Sequence, residues 1–125
     1  MLKLLLIATG GAMGTLARYG TGTALMPLME RFRFPFGTLT VNLLGCLVIG
    51  LLQGWYQDKT WMRPEYQVAL VVGFLGGYTT FSSYGWETFS FLNDGQYTRA
   101  TVNVVLNNVV GLLLVLVGYR LSKLI

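Results

Sequence analysis

Charged residues are so sparse along this chain that long stretches contain none, and this spacing constrains the fold more than any other feature. The uncharged stretches are residues 34–57, 66–86 and 100–119, together with 4–17 and 19–29, which Arg18 alone separates. A helix that crosses the roughly 30 Å hydrocarbon layer of a bilayer needs about 20 apolar residues. Three stretches reach this length and the first two together make a fourth. The pattern therefore predicts an all-α integral membrane protein with four transmembrane helices.

The composition excludes most other classes of protein. Charged residues are 11% and hydrophobic residues 54% of the 125, whereas a soluble domain carries about 25% charged residues. A soluble enzyme, a secreted disulfide scaffold and a nucleic-acid binder are excluded on this ground. The net charge of +4 comes from basic residues scattered over the ends of the predicted spans, which indicates contacts with lipid headgroups. The single cysteine, Cys46, lies in an apolar run and is interpreted as a small packing residue.

We expect a single membrane domain, residues 1–125, with no soluble domain. The predicted spans are about 2–25, 36–56, 66–92 and 96–124. Short polar connections join them, containing in turn Glu30, Arg31 and Arg33, then Asp58, Lys59 and Arg63, then Asn93, Asp94 and Gly95. Helices in lipid associate through small residues four apart, and three glycine pairs have this spacing: Gly10 and Gly14, Gly50 and Gly54, Gly73 and Gly77. Each pair is a candidate helix contact.

Basic residues are divided almost equally between the two sides of the predicted bundle. One side holds Lys3, Lys59, Arg63, Arg120 and Lys123, and the other holds Arg31, Arg33 and Arg99, with Arg18 nearby. Cytoplasmic loops normally carry an excess of Lys and Arg, so a chain with so weak a bias can insert both ways up. The count favours an antiparallel, dual-topology homodimer. The alternative is that folding or the insertion machinery fixes one orientation.

Polar residues inside the spans are the first candidates for function, because an unpaired polar group in hydrocarbon is costly. Arg18 follows 14 uncharged residues, a helix length of about 21 Å, which stops short of the far interface. It either snorkels to the headgroups or lines a water-filled vestibule that attracts anions. Asn42, in the second span, either bonds a neighbouring helix or lines a pore as a donor. Asn103, Asn107 and Asn108 in the fourth span form either a polar track or hydrogen bonds between helices.

The third span contains the stretch GFLGGYTTFSSY, from Gly73 to Tyr84. Adjacent glycines followed by Thr and Ser predict a broken third helix, and irregular backbone at bilayer depth is tolerated only when it is buried or lines a cavity. Phe81 and Tyr84 are three residues apart and so share a helix face. Their ring edges are electropositive and can meet an unhydrated anion, while core packing is the alternative.

Missing groups also restrict the chemistry. The chain has no His, and no acidic residue precedes Glu87 within a predicted spanning core. The usual proton-relay groups are therefore absent from most of the membrane region, which disfavours proton-coupled export. No Cys/His metal cluster, phosphate-binding loop or nucleophile with a base in reach is recognisable, so we do not expect an enzyme.

These motifs together resemble the Fluc/CrcB family of small fluoride channels. The matching motifs are GGAMG at residues 10–14 with Arg18-Tyr19, Gly37-Thr38-Leu39 with Val41-Asn42 and Gly45, and GFLGG at residues 73–77 running into Thr79-Thr80-Phe81-Ser82-Ser83. The resemblance implies passive export of fluoride through two pores of an antiparallel homodimer in the plasma (inner) membrane. It also implies a structural sodium ion at the dimer interface, held by the backbone carbonyls of Gly76 and Thr79 of both chains.

The resemblance assigns roles to individual residues. It implies pore-lining rings at Phe81 and Tyr84, a pore amide at Asn42, a vestibule cation at Arg18, a membrane carboxylate at Glu87, and a polar track at Thr80, Ser83, Asn103 and Asn107. Two residues depart from the family pattern. Tyr84 stands where Phe is typical, and its added hydroxyl either bonds the ion or weakens the edge-on contact. Asn103 and Asn107 stand where Tyr and Ser are frequent.

Two other functions remain as alternatives. A small proton-coupled multidrug exporter also has four short spans in an opposed dimer, but its mechanism needs a carboxylate in the first span, and this chain has none there. A non-transporting accessory subunit would use the polar residues only to join helices.

Overall fold

The computed structural model describes residues 1–57 and 63–124, and within these ranges the chain is helical apart from short connections. Asp58 and Lys59, which were expected in the second connection, lie outside the described residues. The helices in chain order are α1 (Leu2–Ala24), α2 (Met26–Phe32), α3 (Phe36–Tyr56), α4 (Pro64–Val68), the π-helical segment π1 (Ala69–Leu75), α5 (Gly76–Tyr78), α6 (Phe81–Asn93), α7 (Tyr97–Val105), the π-helical segment π2 (Leu106–Val110) and α8 (Gly111–Ser122). The predicted all-helical fold is confirmed for this part of the chain.

Several of these elements join into longer rods. α4, π1 and α5 follow one another without interruption and form the first half of the broken helix, of which α6 is the second half. α7, π2 and α8 likewise form one rod, here called the C-terminal helix. Two rods, Phe36–Tyr56 and Tyr97–Ser122, are long and apolar enough to cross a membrane. They correspond to the second and fourth predicted spans.

Glycines hold α3 close to the C-terminal helix. Gly50 faces the backbone of Val115 and Tyr119, and Gly118 faces that of Leu47. A side chain at Gly50 or Gly118 would overlap the facing backbone, so only glycine permits this separation. The predicted contact at the Gly50 and Gly54 pair is confirmed.

A second glycine contact joins α1 to the first half of the broken helix. Gly10 and Gly14 of α1 face π1 and α5, and Gly73 and Gly77 face α1 in return. A Cβ atom at Gly77 would lie 2.5 Å from the carbonyl oxygen of Gly11. Both predicted glycine pairs therefore lie at the contact between α1 and the first half of the broken helix.

The predicted break in the third helix is confirmed, but it lies after the glycines. Gly76 and Gly77 are helical, whereas Thr79 (φ −84°, ψ 160°) and Thr80 (φ −150°, ψ 111°) are extended. Thr80 is the N-cap residue of α6, because its hydroxyl oxygen accepts a hydrogen bond from the Ser83 amide at 3.2 Å. Gly77 stays helical because its role is close packing on α1, and the β-branched, capping threonines take the extended conformation instead.

Candidate functional site

Asn42 of α3 supports the backbone at the break. Its Oδ1 accepts from the Thr80 amide at 2.9 Å, and its Nδ2 donates to the Thr80 carbonyl at 3.2 Å. Thr80 is only 8% exposed, so water cannot easily replace these bonds. The carboxamide therefore supplies a partner for the Thr80 amide, which has none within a helix, and a second donor for the Thr80 carbonyl, which as the N-cap carbonyl also accepts the first hydrogen bond of α6. Of the two interpretations of Asn42, the structure shows the bond between helices.

The hydrogen bonds of Asn42 continue into a chain of side chains that runs in one direction. Asn42 Nδ2 donates to Asn107 Oδ1 at 2.9 Å, Asn107 Nδ2 to Asn103 Oδ1 at 3.0 Å, and Asn103 Nδ2 to Thr88 Oγ1 at 3.0 Å. Thr88 Oγ1 donates to the Tyr84 carbonyl at 2.9 Å. Bonds aligned in this way polarise one another and join α3, α6 and the C-terminal helix. Asn103 is fully buried, with 0% exposure.

A cavity of about 430 Å³ adjoins this chain of bonds. Asn42, Thr80, Asn107 and Asn108 contribute its polar wall, and the Phe81 and Tyr84 rings lie beside them. The two rings are in edge contact, with centroids 5.4 Å apart and an interplanar angle of 63°. The predicted shared face of Phe81 and Tyr84 is thus confirmed. Phe81 is 79% exposed and stands at the open side of the cavity.

A second cavity, of about 290 Å³, is also lined by Thr80. Arg18, Thr38, Thr80 and Ser83 contribute its polar groups. The Thr80 hydroxyl donates to Ser83 Oγ at 3.0 Å, and Arg18 Nη1 donates to the Thr79 carbonyl at 3.2 Å. The guanidinium is therefore held at the break, on the wall of this cavity. Thr80 is the residue that the two cavities share.

Glu87 lies one turn beyond Ser83, at the edge of a third cavity of about 280 Å³ that Arg33 and Ser90 also line. Its Oε1 accepts from Thr38 Oγ1 at 2.5 Å. Its Oε2 is buried and has no hydrogen-bond partner within the described ranges. Because Thr38 also lines the Arg18 cavity, Glu87 is one residue removed from it.

The carbonyls of Gly76 and Thr79 were expected to hold a sodium ion, and their surroundings are compatible with a cation. In a continuous helix the Thr80 amide would donate to the Gly76 carbonyl. Here the Thr80 amide donates to Asn42 instead, so the Gly76 carbonyl does not accept this helical hydrogen bond. Gly76 is exposed and lies at the negative end of a helix. The Thr79 carbonyl accepts from Arg18 and keeps a second lone pair. Carbonyl oxygens are suitable ligands for a hard cation.

Comparison with known proteins identifies the family of the chain. A family model described as CrcB-like protein, Camphor Resistance (CrcB), matches residues 5–119. The chain belongs to the CrcB family. It is 43% identical over 122 residues to a protein of Solibacter usitatus, covering 98% of this chain and 99% of that one, and 40% identical over 124 residues to one of Methylobacillus flagellatus, covering 99% and 97%. Both relatives are named Fluoride-specific ion channel FluC.

Two side chains of this CrcB protein were missed as partners of the predicted site. Thr38 binds Glu87, and Thr88 terminates the chain of asparagines. Thr38 could have been found, since it lies four residues before Asn42 and therefore on the same face of α3. Thr88 could have been found in the same way, since it lies four residues after Tyr84 on α6, but its partner Asn103 on another helix could not. Membership of the CrcB family and the exposed apolar side chains of α1 and the C-terminal helix identify a transmembrane protein.

Proposed function

We propose that this chain is a fluoride-selective channel that lets cytoplasmic fluoride leave the cell passively. The observation that carries the proposal is the break at Thr79 and Thr80, where one buried threonine lines two cavities that also contain amide, hydroxyl and guanidinium groups. Eight relatives, 35% to 44% identical to this chain, are named as fluoride-specific ion channels, and six of them match at least 98% of it. A channel family of this kind is not an enzyme family.

The groups around Thr80 suit a small anion. Fluoride holds its water tightly, so a pore must offer close hydrogen-bond donors in place of that water. The Thr80 hydroxyl donates to Ser83, so the Ser83 hydroxyl supplies the donor of this pair, and Phe81 supplies a ring edge without a fixed charge. The positive charge of Arg18 raises the local concentration of anions in the cavity of about 290 Å³. Both N–H groups of Asn42 are already engaged, so Asn42 acts first by shaping the break, and it meets fluoride only by exchanging its bond to Asn107.

No energy source beyond the membrane potential is needed. Fluoride enters a cell as neutral HF, ionises in the near-neutral interior and is trapped there as an anion. An inside-negative potential favours its exit by about 2.3 kcal/mol per charge for each 100 mV. Helix α1 contains no Asp or Glu, so the carboxylate on which a proton-coupled multidrug exporter depends is absent from it. The exporter is therefore not favoured.

The functional unit is a pair of opposed chains in the inner membrane, each with four spans. Three observations support this assembly. The first is that one chain leaves the cavity of about 430 Å³ open beside Phe81. The second is that the rings of Trp86 and Phe89, also on α6, are 69% and 56% exposed. The basic residues are almost balanced between the two sides. The ring edges and the cavity walls of one chain are therefore available to a second copy, which would close two pores.

Sodium is the second ligand of the proposed assembly. Two carbonyl oxygens are few for a hard cation, so Gly76 and Thr79 of one chain fit an ion that a second copy also ligates. When bound, the ion supplies positive charge that holds the two breaks together. In each chain, Arg18 holds the Thr79 carbonyl, which is one of the proposed ligands, and Asn42 holds the adjacent Thr80 carbonyl.

The test is ion release from liposomes that contain the purified protein. We expect fluoride, followed with a fluoride-selective electrode, to leave far faster than chloride, and with no effect of dissipating a proton gradient. Fluoride release that stops when the gradient is dissipated would instead indicate proton-coupled transport. An absence of any ion flux would support the accessory subunit and overturn the proposal.

A further inference from the structure

Asn108 fixes the direction of the hydrogen bond that the Tyr84 hydroxyl makes. Its Nδ2 lies 2.8 Å from the Val104 carbonyl and 2.9 Å from the Tyr84 hydroxyl oxygen. A backbone carbonyl can only accept, so the atom facing it is the amide nitrogen and not the amide oxygen. The same nitrogen can only donate to Tyr84. The phenol oxygen is therefore the acceptor of this bond.

A phenol that accepts in this way keeps its own hydrogen for another partner. Within residues 1–57 and 63–124, no other hydrogen bond of the Tyr84 hydroxyl is present. Tyr84 lines the cavity of about 430 Å³ together with Asn107 and Asn108. Donation from the Asn108 amide also polarises the phenol O–H and strengthens it as a donor. The available hydrogen thus belongs to a group on the cavity wall.

Asn107 and Asn108 both lie in the π-helical segment π2 and both line the cavity. Asn107 continues the chain of side-chain bonds to Asn103, and Asn108 turns to Tyr84. A π-turn inside an α-helix is frequently found at a functional site. Here it provides two amides with separate tasks.

We propose that Asn108 is a positioning residue that makes the Tyr84 hydroxyl a one-way donor to fluoride in the cavity. This role rests on the proposed function. In it, Asn108 influences how tightly the cavity binds fluoride and how well it discriminates against chloride. Fluoride is smaller than chloride and concentrates its charge, so it gains more from a strong O–H donor. Asn108 itself need not touch the ion.

The experiment is a double-mutant cycle on the full chain in liposomes, with the fluoride concentration at half-maximal flux as the readout. Tyr84→Phe removes the hydroxyl, and we expect it to raise that concentration about tenfold, the value of one hydrogen bond to a charged group. Asn108→Leu, which keeps the side-chain volume, is expected to raise it about threefold, with a smaller change in maximal flux. In the Tyr84→Phe background, Asn108→Leu is expected to have no further effect.

The cycle separates the inference from the proposed function. Equal effects of Asn108→Leu in both backgrounds, or no effect in either, would overturn the role of Asn108 while fluoride release by the unmodified protein stands. No fluoride release by the unmodified protein would overturn the proposed function and this inference together. Asn108→Ala is the second variant, for use if leucine prevents folding, and size-exclusion chromatography of each protein checks that it does fold. The same non-additivity is expected with alanine.

Discussion

Replacing Asn42 by alanine tests whether the break depends on one side chain. The substitution removes both bonds to the Thr80 backbone and the bond to Asn107. Thr80 is 8% exposed, so its amide and carbonyl stay largely without water once the carboxamide is gone. We expect a less stable protein and not only a slower channel.

The magnitude follows from the three lost bonds. A buried backbone group left without a partner costs about 1–3 kcal/mol, and the Thr80 amide becomes such a group, whereas the Thr80 carbonyl still accepts the first hydrogen bond of α6. A hydrogen bond between membrane helices contributes on average about 0.6 kcal/mol, which estimates the loss at the Thr80 carbonyl and again at Asn107. Asn42→Ala should therefore lower the free energy of unfolding by roughly 2–4 kcal/mol.

The assay is reversible unfolding in lipid or detergent, followed by circular dichroism, combined with fluoride release from liposomes. Thr9→Val is the control, because the Thr9 hydroxyl is exposed and, within the described residues, bonds only the Leu5 and Leu6 carbonyls of its own helix. We expect the control to change stability by less than about 0.5 kcal/mol. Asn42→Ala should lower both stability and fluoride release.

Unchanged stability would refute the reasoning, and fluoride release would then distinguish two cases. An unfolding free energy of Asn42→Ala within about 0.5 kcal/mol of the unmodified protein would show that the break does not depend on Asn42. Unchanged stability together with slow fluoride release would show that Asn42 acts as a pore donor rather than as a support for Thr80. Unchanged stability and unchanged release would remove Asn42 from the site.

Three further predictions concern other parts of the chain. Phe81→Ile should slow fluoride release, because the electropositive ring edge is lost. Size-exclusion chromatography should show an unchanged assembly, because Phe81 is exposed and not part of the core. Unaltered fluoride release would show that the ring is not part of the pore. Gly14→Ala should lower the unfolding free energy by about 1–3 kcal/mol, because the added Cβ would overlap the Phe74 carbonyl. Gly20→Ala is its control: a Cβ at Gly20 has nothing within 4 Å, so this substitution should be neutral or stabilising by up to about 1 kcal/mol. Equal effects of the two substitutions would contradict the packing of α1. Asn103→Leu should destabilise by about 1–3 kcal/mol through the loss of two buried side-chain hydrogen bonds, to Thr88 and to Asn107, and a neutral result in the same unfolding assay would contradict the role of the buried amide.

The sequence alone determined the class of fold, the helix contacts and the identity of the polar residues. The spacing of charges predicted the helices, because the length of an uncharged stretch is a local property that can be compared with the thickness of a bilayer. The glycine pairs were found because four-residue spacing fixes a helix face. The motif from Gly73 to Ser83 indicated the family before any geometry was known.

The tertiary structure alone decided where the third helix breaks and what each amide does. The glycines were expected at the break, yet Gly77 packs on α1 and the threonines are extended. Asn42 lies 38 residues from Thr80 and 65 from Asn107 along the chain, and only their bonds distinguish a backbone support from a free pore donor. Local spacing gives the face on which a side chain lies, but the neighbour of that face depends on how the helices pack, and this packing fixes which donors remain available to an ion.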